Sequence, residues 1–184
     1  MREYSRGVGE FMTITHCFGI DPGYATSPTG VALLRFDGLT PRLIDVWTVQ
    51  PRGREWQSRI DDALGQVLDI LGVRSHKVRA LGPVLLSYEL SYIGENPQSA
   101  LRLAQLGGGV RGLALALGLA VVAVQPSESK LALAGSGSAS KEQMIAKARQ
   151  VFGVRMTEHE ADACAHALAG EAKLRRQAVE RKAT

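Results

Sequence analysis

The stretch Cys17–Gly30, CFGIDPGYATSPTG, constrains this chain more than any other. Cys17–Ile20 reads as the end of a buried strand, which delivers one carboxylate, Asp21, into a turn made by Pro22 and Gly23. Proline fixes φ and glycine supplies backbone freedom, so the chain must leave its extended path there. Asp21 then has two readings. Aspartate favours turns for local reasons, and a carboxylate at a strand end is also a good place for chemistry. The second reading requires other ligand-type side chains to reach the same point.

The chain after this stretch alternates between strand and helix signals. Thr13–Ile20, Gly30–Phe36 and Leu43–Val49 read as three strands, with Asp37-Gly38 as a hairpin signal between the second and third. Ile60, Leu64, Val67, Leu68 and Leu71 mark a helix over Glu55–Leu71. Pro83–Tyr88 is nearly all apolar, as a strand covered on both faces would be, and it ends at Glu89. Asn96, followed by Pro97, is expected to cap a helix reaching Leu117. Gly107, Gly108 and Gly109 interrupt that helix, which points to either a close neighbour or a kink. Leu119–Val124 is a further strand, followed by helices over Ser127–Leu133 and Lys141–Phe152 with a flexible loop, Ala134–Ser140, between them. A last helix begins near Thr157. Three antiparallel strands followed by two βα units predict an α/β fold. Its mixed five-stranded sheet is an antiparallel meander followed by parallel strands, with helices on both faces.

Bulk properties narrow the function classes. A chain of 184 residues suits one domain with a real core. We expect a disordered leader over 1–12, a folded domain over 13–172 and a charged, fraying tail over 173–184. The leader lacks an apolar signal-peptide core, and Leu113–Val124 is too short to span a bilayer. The cytoplasm is the expected compartment, with no membrane partner. Cys17 and Cys164 fit buried reduced thiols better than a disulfide framework. The net charge of +4 permits an anionic partner such as nucleic acid without demanding one.

Further ligand-type residues sit at informative places. Glu89 ends its strand as Asp21 ends the first, and these two strands can lie side by side. Directly after an apolar run, Glu89 is either solvated at the strand terminus or paired, since burying a lone charge is costly. In Thr157–Ala165, TEHEADACA, His159 and Asp162 are three apart and share a helix face. Glu158 is four before Asp162 and can share it too, while Glu160 points away. Glu158 and Glu160 also suit a first helical turn; Asp162, between alanines, has no such excuse. Asp21, Glu89 and Asp162 with His159 beside them would form a hard-ligand cluster, suited to Mg²⁺ or Mn²⁺ rather than a closed zinc site. Two such ions support phosphodiester cleavage.

These motifs together resemble the RuvC family of Holliday-junction resolvases, within the ribonuclease H-like superfamily. The resemblance runs from about Ile14 to Gly170. It rests on FGIDPG with the following TG, and on YEL-x-Y with Asn96 and SALRLAQ (Ser99–Gln105). QPSESK (Gln125–Lys130) with GSGSASKEQM (Gly135–Met144), and HEADACAHALA (His159–Ala169), complete it. It implies a metal-dependent, structure-selective endodeoxyribonuclease that nicks four-way DNA junctions in symmetric pairs during recombination and repair. It also implies a homodimer, with branch-migration proteins as further partners. The four metal-site residues it implies are Asp21, Glu89, His159 and Asp162, the catalytic set; many members carry Asp where this chain has His159. Lys130 and Lys141 correspond to phosphate-contacting lysines and Tyr92 to an aromatic that stacks near the unpaired crossover bases. A solvated Lys141 and a core Tyr92 are the plainer readings of those two. The loop Tyr24–Pro28 is longer than the family's usual turn.

Three further expectations follow. The glycine-rich helix Asn96–Leu117 is a candidate dimer contact. An imidazole in place of a carboxylate removes negative charge and adds a softer ligand, so Mn²⁺ should be favoured over Mg²⁺. His159 must be neutral to bind a metal, so activity should fall below its pKa, ordinarily about 6.5. Two other function classes stay open at this level. One is an actin-like or sugar-kinase-type nucleotide-binding domain, which also opens with a strand, an Asp and a glycine turn but needs a second such domain. The other is a junction-binding module with weak or lost catalysis.

Overall fold

The computed structural model describes residues 14–23, 27–90 and 97–181. Its elements are β1 (His16–Asp21), β2 (Thr29–Asp37), β3 (Thr40–Val49), α1 (Trp56–Arg79), β4 (Val84–Glu89), α2 (Pro97–Ala116), β5 (Ala120–Val124), α3 (Pro126–Ala134), α4 (Lys141–Phe152) and α5 (Glu158–Glu180). The five strands form one sheet in the order β3-β2-β1-β4-β5. β1–β2 and β2–β3 are antiparallel, while β1–β4 and β4–β5 are parallel. This is the mixed sheet expected from the strand pattern. β1 sits at its centre, and β4 lies beside it with Ile20 opposite Tyr88.

Side chains alternate across a strand, and the two cores show which residue faces which layer. Phe18, Ile20, Val31, Leu33 and Leu86 pack with Val67 and Leu71 of α1 and with Leu106 and Val110 of α2. Cys17, Ala32, Leu34 and Leu85 pack on the opposite face, against α4 and the alanines of α5. The same alternation carries Asp21 and Glu89, at the ends of β1 and β4, onto the α5 face.

α5 lies unusually close to the sheet because both sides of the contact are stripped of bulk. Ala161, Ala163, Ala165 and Ala167 are fully buried. Gly19 and Gly30 meet the helix backbone directly. A Cβ on Gly19 would run into the carbonyl oxygen of Ala163, and one on Gly30 into that of His159. The N-terminus of α5 is fixed by a capping box in which Thr157 Oγ1 accepts from the Glu160 amide and the Glu160 carboxylate accepts from the Thr157 amide. The other Glu160 oxygen accepts from Thr48 on β3. Glu160 therefore serves the helix start and points away from the strand ends, as its position suggested.

Several elements differ from the sequence reading. α1 continues past Leu71, because Ser75 and Val78 extend its buried stripe. α5 is helical to Glu180, so the charged segment from Leu174 does not fray there. Lys173 donates to Ala123 O at 3.1 Å and to Glu128 at 3.0 Å, and Arg175 donates to Gly38 O at 3.1 Å and to Glu171. Ala123, Glu128 and Gly38 belong to other parts of the fold, which local sequence does not reveal. The loop 135–140 is not free either: Ala139 is buried and Ser140 caps α4. In the triple glycine, the close neighbour is α1, since a Cβ on Gly109 would strike Leu64. Both cysteines are free and buried, as expected. Tyr92, Asn96, the leader 1–12 and residues 24–26 of the loop after Gly23 lie outside the described residues. Among the described residues, no helix is long and apolar enough to cross a membrane.

Candidate metal centre

Asp21 leaves β1 into a turn that Thr29 holds: the buried Gly23 amide donates to Thr29 Oγ1 at 3.0 Å. The carboxylate meets α5 at once. His159 Nδ1 donates to Asp21 Oδ2 at 2.7 Å across 138 residues of sequence. Glu89, on the adjacent strand end, approaches the same space. A third side chain closes it from above. His166, one turn beyond Asp162 on α5, places Nε2 3.5 Å from Glu89 Oε2 and 3.8 Å from Asp21 Oδ1. Ligand atoms of Asp21, Glu89 and His166 all lie within 4.8 Å of one another.

The electrostatics are those of crowded, half-buried carboxylates. Burial pushes the Asp21 carboxyl up, but the His159 hydrogen bond and the neighbouring His166 ring together outweigh it and hold it below the usual aspartate value. Burial raises Glu89; His166 opposes this while the charges of Asp21 and Asp162 add to it. Burial and the Asp21 charge push Asp162 up to about 6. The hydrogen bond to Asp21 raises His159 against a burial effect of opposite sign. Two carboxylates that resist ionisation beside one that stays ionised want positive charge between them.

The donor set suits a divalent cation. Carboxylate oxygens and an imidazole nitrogen 3.5–3.8 Å apart match the span of neighbouring ligands around one ion with bonds of about 2.1 Å. Among the described residues, the buried His166 Nε2 makes no hydrogen bond, so the pocket holds a polar atom that a bound group would satisfy.

Of the seven residues singled out in the sequence, Asp21 and Glu89 form the ligand cluster with His166, His159 reaches it through its bond to Asp21, and Asp162 is near enough for its charge to act on Glu89. Lys130, on α3, is near enough for its charge to act on Glu89. Lys141, at the start of α4, pairs with Glu158, which raises the lysine further. Glu158 is thus engaged outside the central cluster. Tyr92 is outside the described residues. His166 was not anticipated. Its spacing from His159 and Asp162, seven and four residues, is the helical signal that marks it.

The fold and this pocket define a class: a ribonuclease H-like nuclease domain, with acidic strand ends facing a helix that bears further ligand-type side chains. A family model described as crossover junction endodeoxyribonuclease RuvC matches residues 17–170. The chain belongs to that family, and its function is that of a Holliday-junction resolvase, an endodeoxyribonuclease acting in DNA recombination and repair. A solved structure of Thermus thermophilus RuvC in complex with Holliday junction substrate is similar with TM-score 0.71 and 26% identity, over 89% of this chain and 97% of that one. A second Thermus thermophilus RuvC structure is similar with TM-score 0.69 and 25% identity, with the same coverage. A search of curated proteins returned no match.

Proposed function

We propose that this chain cuts four-way DNA junctions by divalent-metal-dependent, symmetric paired nicking, with Asp21, Glu89, His159 and Asp162 as the catalytic metal-site residues. The observation that carries this is the convergence of two neighbouring strand ends and one helix face on a pocket whose carboxylates are poised for a cation. Two divalent ions bound there would supply charge against the scissile phosphate and acidify an attacking water. The chain's own residues hold and orient. Asp21 anchors the site from the centre of the sheet, Glu89 from the next strand, and Asp162 from α5. Lys130 and Lys141 flank the pocket and neutralise phosphate, with Lys141 leaving Glu158 to do so. Tyr92, following Glu89 by three residues, stacks on an unpaired base.

An imidazole at His159 favours Mn²⁺ over Mg²⁺. Replacing it, His159→Asp, should shift the activity ratio back towards Mg²⁺, and an unchanged ratio contradicts that preference.

A homodimer matches the two-fold character of a junction. α2 supports it. The face bearing Gly109 is occupied by α1, but Leu101 and Leu115 are 61% and 44% exposed. Between them, a Cβ on Gly108 or Gly112 would meet nothing within 4 Å among the described residues. The four fall on one helical stripe. Branch-migration proteins would act on the same junction, and two free buried thiols suit a reducing, cytoplasmic setting.

A supercoiled plasmid extruding a cruciform tests the pairing of nicks. Two cuts within one bound complex give linear DNA as the first product. Accumulation of nicked circles before any linear product contradicts it.

A further inference from the structure

We infer that His166 is a fifth ligand of the metal site, coordinating a divalent cation through Nε2 together with Asp21 and Glu89. This rests on the metal-dependent reading of the same pocket and adds to it a nitrogen ligand deep in the fold. His166 is only 1% exposed, in the middle of an alanine-rich helix where an aliphatic side chain would pack as well. A buried imidazole costs stability unless both nitrogens are used. One nitrogen is used: Nδ1 lies 2.7 Å from Ser129 Oγ on α3. The Ser129 hydroxyl has its own acceptor one turn back, Gln125 O at 3.4 Å. Ser129 therefore accepts the Nδ1 proton. In the neutral ring that tautomer leaves Nε2 unprotonated, 3.5 Å from Glu89 Oε2 and 3.8 Å from Asp21 Oδ1.

In that neutral form a lone pair facing carboxylates is repulsive, and among the described residues Nε2 makes no hydrogen bond. A cation between Nε2, Glu89 Oε2 and Asp21 Oδ1 converts that repulsion into three bonds. Histidine ligands commonly donate their other nitrogen to a fixed partner, which sets the tautomer; Ser129 is that partner. The residue after Ser129 is Lys130, so one short helix holds both the imidazole's orientation and the lysine whose charge acts on Glu89.

The test is Mn²⁺ binding read by pulsed electron paramagnetic resonance, which detects a coordinated imidazole through its nitrogen coupling and needs no DNA. In the His159→Asp variant the only histidine left at the pocket is His166. We expect an imidazole nitrogen coupling in His159→Asp, lost in His159→Asp/His166→Leu. A parallel calorimetric titration should show His166→Leu, and the more polar His166→Gln, weakening Mn²⁺ binding about tenfold and Mg²⁺ binding less. Circular dichroism melts check that each variant is folded, and His159→Asp alone suffices to decide the point. Mn²⁺ bound to His159→Asp without nitrogen coupling overturns the His166 assignment and leaves the metal site standing. Failure of the unaltered protein to bind Mn²⁺, or unchanged binding in Asp21→Asn, overturns both.

Discussion

Asp21 and His159 hydrogen-bond at 2.7 Å, tying the end of the central strand to the first turn of the last helix. The pair has a definite pH window in the metal-free protein. His159 is raised above its ordinary 6.5, so its contribution is complete below that value and fades as pH rises through the raised pKa. Asp21 is lowered from 3.8, so its contribution is present above that value and fades as pH falls through the lowered one. Between about pH 4 and 6.5 both are at full strength. Urea unfolding in a chelator should show His159→Ala costing about 1–2 kcal/mol at pH 5.5 and distinctly less at pH 9. Equal costs at both pH values would refute the pairing as a charge-assisted bond.

Asp162 works in the opposite sense. Its carboxyl is raised from 3.8 to about 6, so the fold gains most from it when protonated and loses that gain as pH rises through about 6. Without metal, Asp162→Asn should raise stability at pH 8 by roughly 1–2 kcal/mol, after discounting for solvent screening. That is a Tm increase of about 3–6 °C, together with loss of cleavage. At pH 4.5 the gain should shrink. A destabilised Asp162→Asn at pH 8 would contradict the electrostatic crowding described here.

Gly30 sets the height of α5 over the sheet at the site itself. A Cβ there would collide with the His159 carbonyl, so Gly30→Ala must push the start of the helix outward. The expected loss is about 3 kcal/mol, with cleavage reduced even where the protein remains folded. Gly108→Ala on α2, with open space at its Cβ, should instead stabilise the monomer by up to about 1 kcal/mol. Thermal melts of the two variants distinguish close approach from a general intolerance of alanine.

Lys141 is held by Glu158, and the proposed phosphate role requires the lysine to leave that contact. Glu158→Gln should free the lysine and tighten junction binding. Lys141→Ala should weaken binding and lower the slope of log K against log salt by about one. Binding isotherms at several salt concentrations read both. Identical slopes in the unaltered protein and Lys141→Ala would remove this lysine from the phosphate contacts.

Much of this site was legible because its carboxylates stand where apolar patterning stops. Asp21 and Glu89 each end a buried strand, and strand alternation assigns them a common face. His159 and Asp162 declared themselves by helical spacing. His166 did not, because it lies within a run of alanines that reads as core, and its role depends on Ser129 and two strand ends distant in sequence. The ends of α1 and α5 were misjudged for a related reason. Ser75 and Val78 carry the buried stripe of α1 beyond Leu71, the last apolar position read from the sequence, and the charged residues beyond Gly170 are anchored by Glu128, Ala123 and Gly38, which lie far away in the chain.

On the reading proposed above, chain segments remote in sequence build one metal-dependent junction-cutting site. Single-turnover cleavage of a synthetic four-way junction, beside a linear duplex of the same sequence, tests it most directly. With Mn²⁺ or Mg²⁺ present, the junction alone should be cut. Asp21→Asn, Glu89→Gln and Asp162→Asn should each lose at least about a thousandfold in rate. Cleavage by Asp21→Asn at the unaltered rate, or equal cutting of the linear duplex, would contradict it.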